Sequence, residues 1–217
     1  MVGEGTDVYN PASFRMKDRG AVRAFVAQNN FGLLVSQTTE GEWLATHIPW
    51  VWGPDAGQPQ LLGHVARANP HWRHVNGASV LVVFTGPHCY ISPRWYEAGL
   101  EVPTWDYTAV HATGRARLLT DAELAQQVES LVAFHEPDAP LLQQLDHPDI
   151  VAQRQAIVGI AVDVEHLEGK QKLNQNRPVE QRARVVRVLA ESAHESERAI
   201  AALIASTIPS KVQEESD

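Results

Sequence analysis

The chain has 217 residues, enough for one substantial domain with additions, and its 44% apolar and 20% charged content belongs to a folded globular protein rather than a disordered one. A net charge of −8 and a pI near 5.7 give the whole chain no electrostatic footprint for nucleic acid, so any DNA contact must be local or indirect. Cys89 is the single cysteine and has no internal disulfide partner, no charged segment followed by an apolar run opens the sequence, and no apolar run approaches the roughly 20 residues that span a bilayer. The expectation is a cytoplasmic protein without a membrane partner.

After an extended start through Pro11, Val22, Phe25 and Val26 have the spacing of one face of a short helix over residues 21–28, stopped by Asn29, Asn30 and Gly32. Residues 31–37 read as a buried strand, 39–41 as a turn, and 43–52 as the antiparallel partner, broken by Pro49. A third strand covers 60–65, and a short helical turn covers 68–75, where Asn69-Pro70 has the form of a cap followed by a first-turn proline. The valine-rich segment 79–85 is a fourth strand. Residues 86–107, rich in Pro, Trp and Tyr, read as a functional loop.

A long strand follows over 107–119, a helix over 121–134 capped by Thr120 or Asp121, and another strand over 157–164. Residues 182–204 read as one helix, with Val185, Leu189, Ile200, Leu203 and Ile204 as its interrupted apolar stripe. Residues 1–208 are expected to form a single domain and 209–217 a disordered acidic tail. Short strands joined by hairpins, without regular βαβ alternation, make the class mainly β with flanking helices (α+β), an antiparallel barrel or sandwich.

Polar side chains concentrate in four clusters. They are Thr46-His47-Ile48-Pro49; Gly63-His64-Val65-Ala66-Arg67-Ala68-Asn69-Pro70; Pro87-His88-Cys89-Tyr90-Ile91-Ser92-Pro93-Arg94-Trp95-Tyr96 with Val102-Pro103-Thr104-Trp105-Asp106-Tyr107; and Gly169-Lys170-Gln171-Lys172-Leu173-Asn174-Gln175-Asn176-Arg177-Pro178. Arg67 and Asn69 stand where a strand gives way to a helical turn, where backbone N–H groups beside a guanidinium can cradle a phosphate; a surface arginine and a capping asparagine are the plain alternative. Trp95, Tyr96, Trp105 and Tyr107 can stack on a planar ring, line a dimer interface, or simply pack a core. Lys170, Lys172 and Arg177 with Arg182, Arg184 and Arg187 make one stretch locally basic, fit to meet a phosphate or to be a solvated face. His71 and His74 have the spacing of one helical face, but no acidic or cysteine partner stands at convincing spacing, so no metal is expected. No Gly-x-Ser-x-Gly turn supports a hydrolase, and no glycine pattern matches a P-loop or dinucleotide fingerprint.

The order and wording of these clusters resemble the PaiB-type family of FMN-binding negative transcriptional regulators, over about residues 9–187. The sequence departs from the family at Asp106, where asparagine is expected, and at Gln171 and Asn174, which replace an aromatic and a serine. The resemblance implies an antiparallel FMN-binding split barrel with a C-terminal helix, FMN as cofactor, and a homodimer that builds its flavin sites at the interface. It further implies that Thr46, His47, Ile48 and Pro49 line the ring, that His64, Arg67 and Asn69 face the ribityl phosphate, and that Val65, Tyr90, Ser92, Trp95 and Trp105 belong to the pocket. Lys172, Gln175, Asn176 and Arg177 would complete the site from the partner subunit. No catalytic residue is assigned. A repressor tuned by flavin is the first functional expectation, with direct DNA binding left open because no helix-turn-helix is seen. The alternatives are a flavin-dependent oxidoreductase using NAD(P)H or oxygen, and a haem-binding barrel using His47, His64 or His111.

Overall fold

In the computed structural model, which describes residues 9–54, 57–97 and 101–209, helix α1 (Arg19–Gln28) leads into strands β1 (Phe31–Gln37), β2 (Trp43–Trp52) and β3 (Gln60–Ala66). A 3₁₀ turn at Pro70–Arg73 precedes β4 (Ser79–Ile91), a second at Pro93–Tyr96 precedes β5 (Thr104–Leu118), and α2 (Asp121–His135) follows. A third 3₁₀ turn (Pro140–Gln143) and helix α3 (Pro148–Arg154) lead to β6 (Ile157–Lys172), α4 (Val179–Ala190) and α5 (Glu195–Ser206). The strands close in the order β1-β2-β3-β6-β5-β4, an antiparallel barrel, as the hairpin signals and the resemblance imply.

Alternation explains how the barrel fills. In β1, Gly32, Leu34 and Ser36 are buried while their neighbours are not, and the same period buries Ile48 and Trp50 in β2. Leu34, Trp50, Leu61, Phe84, Val110, Ile160 and Val162 are each within 1% of full burial, and each apolar side chain of that size stabilises the fold by about 1.5–3 kcal/mol relative to its exposed state. Gly114 marks a close approach of β5 to β6, since a Cβ there would lie 2.0 Å from the Asp163 carbonyl oxygen.

Pro49 does not break β2. Trp50 donates its N–H to Asn30 O on the β1 side, so the N–H that Pro49 lacks would face the opposite edge. There the pairing with β3 begins only at Trp50.

Other boundaries move for tertiary reasons. The segment 86–107, expected as a loop, is in part strand: β4 runs on to Ile91 and β5 begins at Thr104, because pairing overrides the turn propensity of Gly86-Pro87. β6 likewise extends to Lys172, where residues 14–16 pair with it through Met16 N to Gly169 O and Gln171 N to Phe14 O. The expected C-terminal helix is two helices. The Ser192 hydroxyl accepts from the His194 N–H and its carbonyl from Arg198 Nη1, competing with helix hydrogen bonds at the break. Helix α3, in a stretch given no element from the sequence, starts on Pro148 with the His147 ring accepting from the Asp149 N–H.

The chain divides into two compact units. The first holds residues 22–84 and 110–168, and with them β1, β2, β3, α2 and α3. The second holds residues 1–21, 85–109 and 169–217. Its core is Cys89, Ile91, Tyr96, Leu173, Val185, Leu189, Ile200, Ala201 and Ile204, which α4 and α5 cover with one apolar stripe each. The expected acidic tail, beyond Pro209, lies outside the described residues.

Candidate functional site

In the first unit, Thr46 shares the inward face of β2 with Ile48 and Trp50, diagonal to Ser36 of β1, because Leu34 pairs with Thr46 and Ser36 with Leu44. The 3₁₀ turn Pro70–Arg73 covers this point and inserts His71, which is 2% exposed. Its Nδ1 lies 2.8 Å from Thr46 Oγ1 and its Nε2 2.9 Å from Ser36 Oγ. Burial, and secondarily the positive charge available on His74, hold the His71 ring below the ordinary histidine pKa, so it is neutral near pH 7.

Asn69 is the cap that the Asn69-Pro70 pair predicts. Its Oδ1 accepts from the His71 N–H at 3.0 Å, and its Nδ2 donates to Thr46 Oγ1 at 3.3 Å. Arg67 is exposed and spans to the start of β6, donating from Nε to Gln155 O at 2.6 Å and from Nη2 to Ile157 O at 3.0 Å. These bonds fix the guanidinium, and among the described residues Nη1 has no acceptor. His64 meets Gln127 of α2 through Nδ1 and Oε1 at 2.9 Å. His47 is exposed and stacks on the Phe31 ring, 5.7 Å between centroids.

Thr46, His47, Pro49, His64, Arg67 and Asn69 therefore share one unit. Ile48 and Val65, each 3% exposed, turn their side chains into the core and have only main-chain groups to offer a ligand.

The remaining expected residues form a second cluster, in the other unit. Trp105 (55% exposed) and Tyr90 (43% exposed) meet edge to face at 6.3 Å, with His88 also 6.3 Å from Trp105. Ser92 caps the turn that carries Trp95, and Trp95 packs against the buried cluster. Lys172 donates to Thr104 Oγ1 and Trp105 O. Gln175 closes its own turn, accepting from the Leu173 N–H at 2.7 Å and donating to Gln171 O at 2.6 Å. Asn176 is exposed. Arg177 is bidentate to Glu101 at 2.7 and 2.8 Å and lies 4.6 Å over the Tyr96 ring. That pairing neutralises Arg177 and holds the Glu101 carboxyl below its ordinary pKa, chiefly through the hydrogen bond.

The departures from the family pattern have local consequences here. Asp106 is fully buried, because β5 starts early enough to put it on the inward face with Thr108 and Val110. Asn174 takes a left-handed backbone, φ 58°, which asparagine tolerates, and its Oδ1 accepts from the Tyr96 hydroxyl at 2.9 Å.

Sequence reasoning passed over Ser36, Gln127 and Glu101, and weighed His71 only as a metal ligand. Ser36 carried a faint signal, a hydroxyl on the inward face of an otherwise apolar strand. Gln127 and Glu101 carried none, since their partners lie 63 and 76 residues away in sequence.

A model of the family described as "Putative FMN-binding domain" matches residues 8–166. The Bacillus subtilis (strain 168) protein called protease synthase and sporulation protein PAI 2 is 36% identical over 174 residues, which span 78% of this chain and 83% of that protein. Among solved structures, the flavocytochrome Anf3 from Azotobacter vinelandii superimposes with a TM-score of 0.62 at 14% identity, covering 77% of this chain and 73% of that one. The FAD and heme binding protein from Mycobacterium smegmatis does so with a TM-score of 0.57 at 16% identity, covering 73% of each. These structural likenesses concern the fold. In the first unit Arg67 supplies an exposed guanidinium anchored by two main-chain carbonyls, chemistry that suits a phosphate group. The chain belongs to the PaiB-like family of FMN-binding split-barrel proteins, with FMN as its cofactor.

Proposed function

We propose that this protein is a cytoplasmic homodimeric regulator of the PaiB type, in which FMN bound between two copies sets the state of a repressing interaction. The observation that carries the reading is Arg67, an exposed guanidinium pinned by two main-chain carbonyls at the end of β3, where it can pair with the FMN phosphate without a further ordering cost. Thr46, His47 and Pro49 would border the ring, and His64 and Asn69 the ribityl chain. The exposed Tyr90–Trp105 pair, with Ser92, Trp95, Lys172, Gln175, Asn176 and Arg177, would close the pocket from the second copy, which supports a dimer because such aromatic faces are commonly covered.

When bound, FMN supplies one- and two-electron redox chemistry. The chain's own residues bind and orient it. The acidic net charge, −8, favours repression through a protein partner or a small molecule over tight contact with bare DNA.

The test is an absorbance titration of purified protein with FMN, read at about 450 nm, beside a measurement of mass in solution. Saturable uptake by a dimer, weakened in Arg67→Ala, supports the reading. A monomer, or uptake indifferent to Arg67, overturns it.

A further inference from the structure

The bonds around His71 leave one arrangement of protons that satisfies every buried group, and that arrangement ends at Thr46. Ser36 is 2% exposed, and His71 Nε2 at 2.9 Å is the partner its hydroxyl has among the described residues. A buried hydroxyl whose proton met no acceptor would be an uncompensated loss, so the Ser36 O–H donates to Nε2. A neutral imidazole that accepts at one nitrogen carries its proton on the other. Nδ1–H therefore donates to Thr46 Oγ1 at 2.8 Å. Asn69 Nδ2 donates to the same oxygen at 3.3 Å, while the other end of that amide is fixed as acceptor for the His71 N–H. Thr46 Oγ1 thus receives two hydrogen bonds, and its own proton remains to be given away. Thr46 is half-buried, at the start of the stretch Thr46-His47-Ile48-Pro49 on β2.

We propose that Ser36 and His71 form a directed relay that makes the Thr46 hydroxyl a dedicated donor to an acceptor of the isoalloxazine ring, a carbonyl oxygen or a ring nitrogen. This rests on the flavin reading above. His71 is a positioning residue: it touches no ligand, and it sets the sense of the one hydroxyl that does. The neutrality of its ring, maintained by burial, keeps the relay running in one direction.

Two measurements test this. Heteronuclear NMR of isotope-labelled protein, assigned with His71→Asn, reads the tautomer of His71 directly and requires no ligand. Nδ1 protonated and Nε2 bare is the expected result; the reverse tautomer overturns the relay. Titrations with FMN and riboflavin then compare the wild type with Thr46→Val, which keeps the shape and removes the hydroxyl, and with Ser36→Ala. Thr46→Val is expected to weaken both ligands about tenfold, the value of one donated bond, and to shift the flavin absorption band. Ser36→Ala is expected to mix the tautomers and weaken binding by a smaller factor. Undiminished binding by Thr46→Val, or a loss confined to FMN, which would place the contact on the phosphate, overturns the proposal. If the unsubstituted protein takes up neither flavin, the flavin reading falls, and the tautomer alone decides the relay.

Discussion

Lys172 Nζ stops 3.8 Å from Asp106 Oδ1, and Asp106 has no solvent exposure while neither of its oxygens accepts a hydrogen bond among the described residues. Desolvation pushes the Asp106 carboxyl up to about 7. The Lys172 cation and the Asn174 backbone N–H pull it back, but neither is near or aligned enough to satisfy an oxygen, so burial prevails. The same carboxyl contributes to raising Cys89, which burial above all pushes up to about 12, leaving that thiol unreactive at neutral pH.

Asp106 should make the protein less stable in base than in mild acid. The folded chain holds this proton more tightly than the unfolded one, so between the ordinary value of 3.8 and about 7 the folded state binds more protons. The stability it confers is complete below that window and lost as pH rises through it. Asp106→Asn, which restores the residue expected at this place, should raise stability at pH 8 by about 2–4 kcal/mol and change it little near pH 4. Urea unfolding midpoints at the two pH values check this, and equal effects at both would contradict it.

Glu123 holds the start of α2 with both oxygens, one accepting from Arg117 Nη1 and the Thr120 N–H, the other from Arg117 Nη2. Chiefly through the Arg117 hydrogen bonds, its carboxyl falls to about 2. Glu123→Gln should therefore cost about 1 kcal/mol at neutral pH, a discounted figure because the side chain is 36% exposed. This depressed carboxyl contributes stability above 4.5 and loses it as pH falls toward about 2, so the penalty should fade over that range. Thermal melts in an acid series give the comparison.

Gly114→Ala should be severe. A Cβ at this site would sit 2.0 Å from Asp163 O and 2.9 Å from its carbonyl carbon, main-chain atoms that cannot swing aside. Separating β5 from β6 should cost at least about 3 kcal/mol. Soluble yield and the melting temperature report it, and a variant melting like the parent would show that the strands part easily here.

Arg67→Ala should carry two separable penalties. The loss of its bonds to Gln155 O and Ile157 O should lower stability by about 1 kcal/mol, since both are exposed. Loss of the guanidinium should weaken FMN by about tenfold or more while leaving riboflavin, which has no phosphate, nearly unchanged. Equal losses for the two ligands would move the phosphate contact elsewhere.

Much of the barrel could be read from local pattern. The bounds of β1 and β2 could be read to the residue, though not that β2 runs unbroken through Pro49, and Thr120 was one of two candidate caps of α2, where the fold closes a capping box with Glu123. The ends of β4, β5 and β6 were not legible, because those residues are strand only by virtue of partners brought from elsewhere in the chain. The break between α4 and α5 hides for a similar reason: the apolar stripe continues past Ser192, and only packing onto one cluster requires each helix to bury its own side.

For the candidate site, sequence alone determined the residue types and their order: a phosphate-seeking arginine after β3, an asparagine cap, a Thr-His pair on a strand, and an acid at 106. Local chemistry fixes these, since caps, strand faces and motif spacing depend on near neighbours. Tertiary structure alone decided what those groups became. His71 turned from a candidate metal ligand into the link between Ser36 and Thr46, Arg177 was neutralised by Glu101, and Asp106 was left dry beside a cation. A side chain's charge, proton and free bond are set by whichever atoms folding brings within a few ångströms of it, and those atoms are drawn from distant parts of the chain.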